Sequence, residues 1–336
     1  MSTHQVVYLV FGIVLAIALA FDLGLLSQKN KVVTIRQALY QTLFWVGLAL
    51  AFFVFLWIEG PMLASENPTA TITGSSSQLA LEFLSAYLME WSLSIDNIFV
   101  FILIFSAFAV KPKHYPRVLL IGILMAILFR IIFITVGVAL VAKFEWILYV
   151  FGVFLLYTGY KMFTANEDEE FNPQESKIYR FLAKILPLAN HDGHGKYLIK
   201  ENGKSLYTSL FVVVILLAAI DLVFALDSIP AVMGISKDPL VIYTSNIFAV
   251  LGLRSLFFLL RGAVSKFDYL QQGIAIVLIF IGAKMLAEHF INEWIDKNTQ
   301  IVISLGVILV CIAGSVFYSI FMKKKGTPAD AEDDSQ

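Results

Sequence analysis

The amino-acid sequence predicts an all-α polytopic membrane protein with nine transmembrane helices, six of which form two inverted three-helix repeats. Of the 336 residues, 59% are hydrophobic and only 15% are charged, and the mean hydropathy is +0.82. This composition is far more apolar than that of a soluble domain. Nine stretches are long enough to cross about 30 Å of hydrocarbon, and two of them carry the same pattern of acidic residues. These observations define the fold class.

The nine predicted spans are separated by polar connections. The first span has no basic residue ahead of it and carries Asp22 near its far end. Because a signal peptide begins with a basic region, we expect this span to remain as a helix. The spans are residues 6–26, 40–58, 79–106, 117–141, 145–163, 207–230, 240–260, 268–288 and 300–322.

Basic residues are distributed unequally between the connections. Of the 24 lysines and arginines, four lie within spans and three, Lys143, Lys237 and Lys297, lie in even-numbered connections. The remaining seventeen lie in the odd-numbered connections and the C-terminal tail, with Arg117, at the first position of the fourth span, counted with the connection before it. Because cytoplasmic connections carry the excess of basic residues, we expect the N-terminus outside and the C-terminus in the cytoplasm.

Two spans carry a pair of acids within an apolar sequence. Glu90 and Asp96 are six positions apart, as are Asp221 and Asp227, and Asn97 or Ser228 follows the second acid. An unpaired acid at the bilayer centre costs about 3 kcal/mol on the insertion scale, so four would cost roughly 10 kcal/mol or more. We therefore expect these acids to have partners, and cations are the obvious candidates.

The acid pairs belong to a longer internal repeat. When the pairs are aligned and a gap of seven or eight residues is allowed after them, Arg130 matches Arg254, and Gly159 to Met162 match Gly282 to Met285. Each copy contains three spans, and because three is odd the copies must be inverted, an arrangement recurrent in secondary transporters. The predicted divisions are two N-terminal helices (1–78), the first repeat (79–163), a cytoplasmic loop (164–206), the second repeat (207–290) and a final helix with a cytoplasmic tail (291–336).

The types of side chain indicate a hard cation. Carboxylate, amide and hydroxyl oxygens suit Mg²⁺, Ca²⁺ or Mn²⁺ better than Zn²⁺ or Cu⁺, and the only cysteine is Cys311. On an uninterrupted helix Glu90 shares a face with Ser94 and Asn97, whereas Asp96 lies about 120° away. Asp221 likewise shares a face with Ser228 but not with Asp227. Pro230 predicts a helix interruption just after Asp227.

An alternative is that Arg130 and Arg254 pair with two of the four acids and only hold helices together. Two negative charges would remain, which match one divalent cation if Lys161 and Lys284 extend to the membrane interface. We expect Thr244, Ser245 and Asn246 to cap the start of the seventh span. Asp22 is either solvated or lines an access path.

The connection at 164–206 is the one sizeable soluble segment. We expect a solvated cytoplasmic connector with a short amphipathic helix near 176–186. His191 and His194 offer weaker support for a metal-gathering surface. The sequence contains no complete phosphate-binding loop, and we expect neither a nucleotide nor a nucleic acid as partner.

Four sequence blocks resemble the TerC family of bacterial membrane proteins, and its Alx-like members in particular. They are residues 90–97, 224–231, 244–249 and 251–254. The resemblance implies a manganese exporter of the bacterial inner membrane and an important role for Glu90, Asp96, Asn97, Asp221, Asp227 and Ser228. The family often has an acid three positions before the residue that matches Asp221, where this chain has Ala218.

The sequence therefore predicts a transporter rather than an enzyme, which exports Mn²⁺ or a similar hard divalent cation through a carboxylate site. Mn²⁺ is the substrate, no cofactor is expected, and protons are the expected counter-ion because carboxylates bind either. One rival is a membrane factor that supplies metal to exported proteins or assists their assembly. Another is an intramembrane aspartyl protease, in which two acids share a proton; neither Asp96 nor Asp227 lies in a Gly-Xaa-Gly-Asp setting.

Overall fold

A computed structural model describes residues 9, 11–16, 33–65, 77–144, 146–164, 177–189, 193–201, 204–261 and 269–325. Almost all of the described chain is helical, and a short β-hairpin is the exception. The elements are α1 (Ile35–Ser65), α2 (Ser77–Ala107), α3 (Tyr115–Lys143), α4 (Ile147–Thr164), α5 (Lys177–Ile185), β1 (Leu198–Glu201), β2 (Lys204–Tyr207), α6 (Ser209–Ile235), α7 (Pro239–Leu260), α8 (Leu270–Leu286), α9 (Glu288–Trp294) and α10 (Lys297–Lys325).

Six of the described helices are long and apolar enough to cross a membrane: α1, α3, α4, α6, α7 and α10. The pair α8 and α9 is bent by 78° and raises the number to seven if it counts as one span. The predicted all-α polytopic class is therefore confirmed. The number nine stays a prediction, since most of the first predicted span lies outside the described residues and the acid-bearing α2 is not among the six.

The helices of the first triplet (α2, α3 and α4) pack against those of the second triplet (α6, α7 and α8). α2 and α6 run antiparallel, because Asn97 lies beside Asp221 while Glu82, fifteen residues earlier, lies beside Ser236, fifteen residues later. The contact between α2 and α6 therefore extends over fifteen positions of each chain segment.

The backbones of α4 and α8 approach each other closely where these two helices cross. A Cβ atom at Gly159 would lie 2.9 Å from the carbonyl oxygen of Ala275, and one at Gly282 would lie 2.8 Å from that of Gly152. Because residue numbers rise along α4 as they fall along α8, these two helices are also antiparallel. Glycine is needed here because the two backbones nearly touch.

α7 lies at the centre and packs against α1, α2 and α3. Every residue from Leu240 to Phe258 except Tyr243 is buried. The helix begins at Pro239, and the side chain of Asp238 caps it by accepting from the Leu240 amide at 2.8 Å. The prediction that residues 244–246 cap this helix is therefore wrong, because the helix starts a full turn earlier.

Pro230 does not interrupt α6, which continues to Ile235. The prediction of a break after Asp227 is thus wrong. Proline removes one backbone donor, but residues 228–233 are all buried, and packing on both sides of the proline holds the helix together. Membrane helices tolerate proline for this reason.

The connector between the triplets contains the predicted short helix, α5, and a hairpin that the sequence did not predict. β1 and β2 pair antiparallel with Leu198 opposite Tyr207. The connector contacts the start of α3, where the guanidinium of Arg117 lies 5.1 Å from the centre of the Tyr197 ring. His191 and the side chain of His194 lie outside the described part, so the metal-gathering hypothesis stays untested.

Candidate ion-binding site

The guanidinium of Arg130 on α3 is the centre of a buried polar cluster. Its Nε donates to Oδ2 of Asp221 at 2.8 Å, and Nη1 donates to Oε2 of Glu90 at 2.7 Å. Nη1 also donates to Oδ1 of Asn246 at 2.9 Å. The cluster thus joins α2, α3, α6 and α7, two helices from each triplet.

All four side chains are removed from solvent. Glu90, Asp221 and Asn246 are fully buried, and Arg130 is 2% exposed. A buried ion pair offsets its desolvation cost only when geometry and additional hydrogen bonds are good. The planar guanidinium satisfies this condition, since it places donors on both carboxylates at once. Two carboxylates and one guanidinium leave a formal charge of −1 for the cluster if both acids are ionised.

Asn97 extends the cluster toward the C-terminal end of α2. Its Nδ2 donates to Oδ1 of Asp221 at 3.3 Å, and Glu90 accepts from Arg130, which binds the same aspartate. The predicted shared face of Glu90 and Asn97 is therefore confirmed. The antiparallel register of α2 and α6 pairs positions 97 with 221 and 82 with 236, and it places Ser228 level with Glu90.

Several oxygens on these two helices have no hydrogen-bond partner within the described part of the chain. All are buried, and each belongs to a residue on the helix faces that carry Glu90 and Asp221. Oxygen atoms of this kind are the ligands that hard cations prefer. They are Oε1 of Glu90, Oγ of Ser94, Oδ1 of Asn97 and Oγ of Ser228.

Asp227 lies apart from this cluster. Its Oδ1 accepts from the hydroxyl of Thr158 on α4 at 3.2 Å, and its side chain is only half-buried. The two acids of the second pair thus face different neighbours, as their helical spacing predicts. Asp96 belongs to α2, but its side chain lies outside the described set, as does Asp22.

The two arginines that were predicted as charge partners differ in position. Arg130 pairs with one acid from each triplet, whereas Arg254 is buried on α7. Lys161 is exposed, in agreement with the expected extension to the interface. Lys284 does not extend freely, because it is half-buried and its Nζ donates to Oγ of Ser304 on α10 at 3.1 Å.

The six side chains that the sequence proposed as metal ligands do not all meet at one point. The structure brings Glu90, Asn97 and Asp221 together and places Asp227 elsewhere. No group of three or more histidine, cysteine, aspartate or glutamate side chains in the described ranges is arranged to hold a metal. Any cation at this cluster would therefore rely on amide and hydroxyl oxygens as well as carboxylates.

Sequence reasoning missed two residues. Asn246 was interpreted as a capping residue, yet it accepts from Arg130 seven positions inside α7. The signal was available, because Asp238 followed by Pro239 marks the helix start and leaves Asn246 too deep to cap it. Glu82 was overlooked near the other end of α2, where it accepts from Ser236 and from Gln78.

Apolar helices of membrane-spanning length, with buried charges where two helix triplets meet, define a polytopic integral membrane protein. Sequence comparison then identifies the family. The chain matches the Integral membrane protein TerC family over residues 75–327. It belongs to that family, and the resemblance inferred from the four sequence blocks is confirmed.

Curated relatives cover nearly the whole chain. A membrane protein of Myxococcus xanthus is 41% identical over 316 residues, 94% of this chain and 92% of the relative. A membrane protein of Rickettsia felis is 37% identical over 309 residues, 92% of this chain and 97% of the relative. Alx of Escherichia coli K12, whose name proposes a membrane-bound redox modulator, is 39% identical over 304 residues, 89% of each chain. No solved structure matches significantly.

Proposed function

We propose that this protein is a secondary transporter of the bacterial inner membrane that exports a hard divalent cation, with Mn²⁺ as the first candidate. The observation that carries the proposal is the cluster of Glu90, Asn97 and Asp221 around Arg130, buried where the two helix triplets meet. Substrate sites of transporters built from inverted repeats lie at the repeat interface near the bilayer midplane.

The antiparallel packing of matched helices supports the inverted repeat. The sequence alignment that matches Gly159 with Gly282 also matches Gly152 with Ala275. The contacts are reciprocal under this alignment, because Gly159 approaches Ala275 and Gly282 approaches Gly152. A pseudo-two-fold axis between α4 and α8 would produce this pattern.

The contacts between the two acid-bearing helices, α2 and α6, are consistent with the same pseudo-two-fold relationship. The alignment matches Glu90 with Asp221 and Asn97 with Ser228. Asn97 contacts Asp221, and the register of α2 and α6 places Ser228 level with Glu90. Each triplet therefore offers one carboxylate and one neutral oxygen ligand at equivalent positions. This is expected for a site that lies between two repeats and is formed by both of them.

The ion is argued from ligand chemistry. The proposed ligands are oxygens of carboxylate, amide and hydroxyl groups, which favour Mg²⁺, Ca²⁺ and Mn²⁺. In this scheme Asp221 and Glu90 would bind the cation while the guanidinium of Arg130 limits the negative charge of the site. Among these ions, the family resemblance favours manganese; the distances between atoms in the cluster do not distinguish it from the other two.

Export of a divalent cation needs an energy source. Moving two positive charges outward against about 100 mV costs roughly 4.6 kcal/mol. Proton entry can supply this energy, because carboxylates bind either protons or metal. Asp227 is our candidate proton carrier, since it is half-buried and accepts from the neutral hydroxyl of Thr158.

The proposal is tested with purified protein in proteoliposomes that contain a manganese-sensitive dye. Wild type is compared with Glu90→Gln and with Glu201→Gln, a control on the exposed connector hairpin. We expect Mn²⁺ flux that depends on an imposed pH gradient in wild type and in the control, and none in Glu90→Gln.

Two results would count against the proposal. Mn²⁺ flux equal to that of empty liposomes, with properly folded wild-type protein, would favour a role in metal supply to exported proteins. Mn²⁺ flux that continues at the same rate after the proton gradient is collapsed would exclude proton coupling. It would still support export.

A further inference from the structure

The short helix α5 presents three different surfaces around its axis. One surface faces the protein: Ile178 and Leu182 are half-buried against the core, and the Tyr179 ring lies 5.5 Å from the ring of Phe108. These contacts fix the orientation of the helix relative to the membrane-spanning helices. They also determine which of its residues face outward.

The second surface is apolar and exposed. Phe181 is 62% exposed and Ile185 is 58% exposed. They are four positions apart, so they lie one above the other on a helix, next to the line formed by Ile178 and Leu182. Transfer of apolar surface from water into an apolar environment is favourable. The exposed side chains of Phe181 and Ile185 therefore suit an apolar environment.

The third surface is basic. α5 has Lys177, Arg180 and Lys184 and no acidic residue. At about 100° per residue these three positions fall within a sector of 60°, which adjoins the sector of Phe181 and Ile185. Around the axis of α5, the surface that contacts the protein is thus followed by the exposed apolar surface and then by the basic surface.

The depth of α5 is set by its neighbours. Phe108, which contacts Tyr179, directly follows the end of α2 at Ala107. α5 also packs against α6, whose first residue is Ser209. α6 is long and apolar enough to span a membrane, and the ends of spanning helices lie at the membrane surface, so this packing favours a position of α5 at the boundary between hydrocarbon and headgroups.

We propose that α5 is an interfacial helix that binds anionic lipid. Phe181 and Ile185 enter the acyl boundary, and the exposed Arg180 and Lys184 bind the lipid phosphates. An apolar face beside a basic face is the pattern of helices that lie in the membrane plane, and each basic residue near an anionic surface contributes about a five-fold increase in binding. Two exposed apolar side chains are too little surface for a stable protein interface, which needs about 800 Å² per partner.

The test uses the full-length protein in vesicles, with Cys311→Ser as background so that one introduced cysteine carries a fluorophore. Phe181→Cys reports the apolar surface, and Ala183→Cys, exposed and about 200° away on the same helix, is the matched control. Vesicles of phosphatidylcholine alone or mixed equally with phosphatidylglycerol contain a nitroxide lipid as quencher. We expect lipid quenching at position 181 and iodide quenching at position 183.

A second comparison isolates the charge contribution. We expect the combined changes Lys177→Gln, Arg180→Gln and Lys184→Gln to lower lipid quenching at position 181 in phosphatidylglycerol vesicles. The same three changes at Lys196, Lys200 and Lys204, which are exposed on the connector outside α5, should leave it unchanged.

Three outcomes would overturn the proposal. Equal iodide quenching at positions 181 and 183 would place α5 in water. A label at position 181 that neither quencher reaches would indicate a protein contact instead. Lipid quenching that is insensitive to phosphatidylglycerol and to the charge changes would contradict recognition of anionic lipid.

Discussion

Arg130 and Asp221 are 91 positions apart in the sequence, yet Nε of the arginine lies 2.8 Å from Oδ2 of the aspartate. The same guanidinium binds Glu90 through Nη1. The guanidinium of Arg130 therefore connects one acid from each helix triplet, and all three side chains are buried.

Removal of the guanidinium should destabilise the protein. In Arg130→Met two buried carboxylates lose their charge partner, which costs about 3–5 kcal/mol of the free energy of unfolding. Thermal unfolding in detergent, followed by loss of the monodisperse peak, measures the change. Arg261→Met, at the half-exposed end of α7 beside the Phe258 ring, is the control and should cost far less. Equal losses for the two variants would contradict a central role for the cluster.

Neutralising the acids should separate stability from transport. The triple variant Arg130→Met, Glu90→Gln and Asp221→Asn has no buried charge in the cluster, so we expect most of the lost stability to return. Mn²⁺ flux should remain absent, because the carboxylate ligands are gone. A triple variant that transports metal would make the cluster a purely structural feature.

Ser228 should affect metal affinity without affecting stability. Its hydroxyl is buried without a partner in the described region, so Ser228→Ala should not lower the unfolding temperature. We expect a higher KM for Mn²⁺, since one oxygen ligand is lost. Ser85→Ala is the matched control: its hydroxyl is equally buried and unpartnered there but lies on another face of α2 than Glu90. Identical KM values for both variants would remove Ser228 from the site.

Gly282 should be intolerant of a side chain. A Cβ atom there would lie 2.8 Å from the Gly152 carbonyl oxygen and 3.0 Å from the Leu156 nitrogen, both backbone atoms. We expect Gly282→Ala to cost about 1–3 kcal/mol of stability, the range for overpacking. Gly306→Ala, where a Cβ would meet nothing within 4 Å, should be neutral or stabilise by up to about 1 kcal/mol. The reverse order of unfolding temperatures would refute the close crossing of α4 and α8.

Asp227 should matter for coupling rather than for metal binding. It faces Thr158 and not the Arg130 cluster, so Asp227→Asn should keep Mn²⁺ binding in a calorimetric titration. Because an amide does not bind or release a proton at physiological pH, flux should become insensitive to the imposed pH gradient. Thr158→Val, which removes the neighbour and keeps the carboxylate, should keep the gradient dependence. Loss of binding in Asp227→Asn would assign this residue to the metal site instead.

The sequence was informative where a pattern is local. Apolar length predicts the spans, and helical spacing correctly places Glu90 and Asn97 on one face with Asp227 apart from Asp221. Choice of partner is not local: nothing in the sequence decides between Arg130 and Arg254 as the partner of the acids, because the decision depends on how four helices pack. The continuous helix through Pro230 has the same origin, since burial on both sides outweighs one missing hydrogen bond.

Glu82 and Asn246 show a second limit. Both are polar residues in spans, but each sits near a feature that offers a simpler explanation, a helix end or a capping position. Their hydrogen bonds to Ser236 and Arg130 cross between helices, so they become visible only when the helices are in place.

The spacing of the Arg130 contacts has a consequence for biosynthesis. Glu90 and Arg130 are 40 positions apart, so both leave the ribosome early. The first triplet can therefore enter the bilayer with the charge of Glu90 already neutralised by Arg130. Asp221 has to find its arginine in a helix made 91 positions earlier. The second half of the chain therefore depends on the first for insertion, and production of residues 207–336 alone should give a poorly integrated product that co-expression of residues 1–206 rescues.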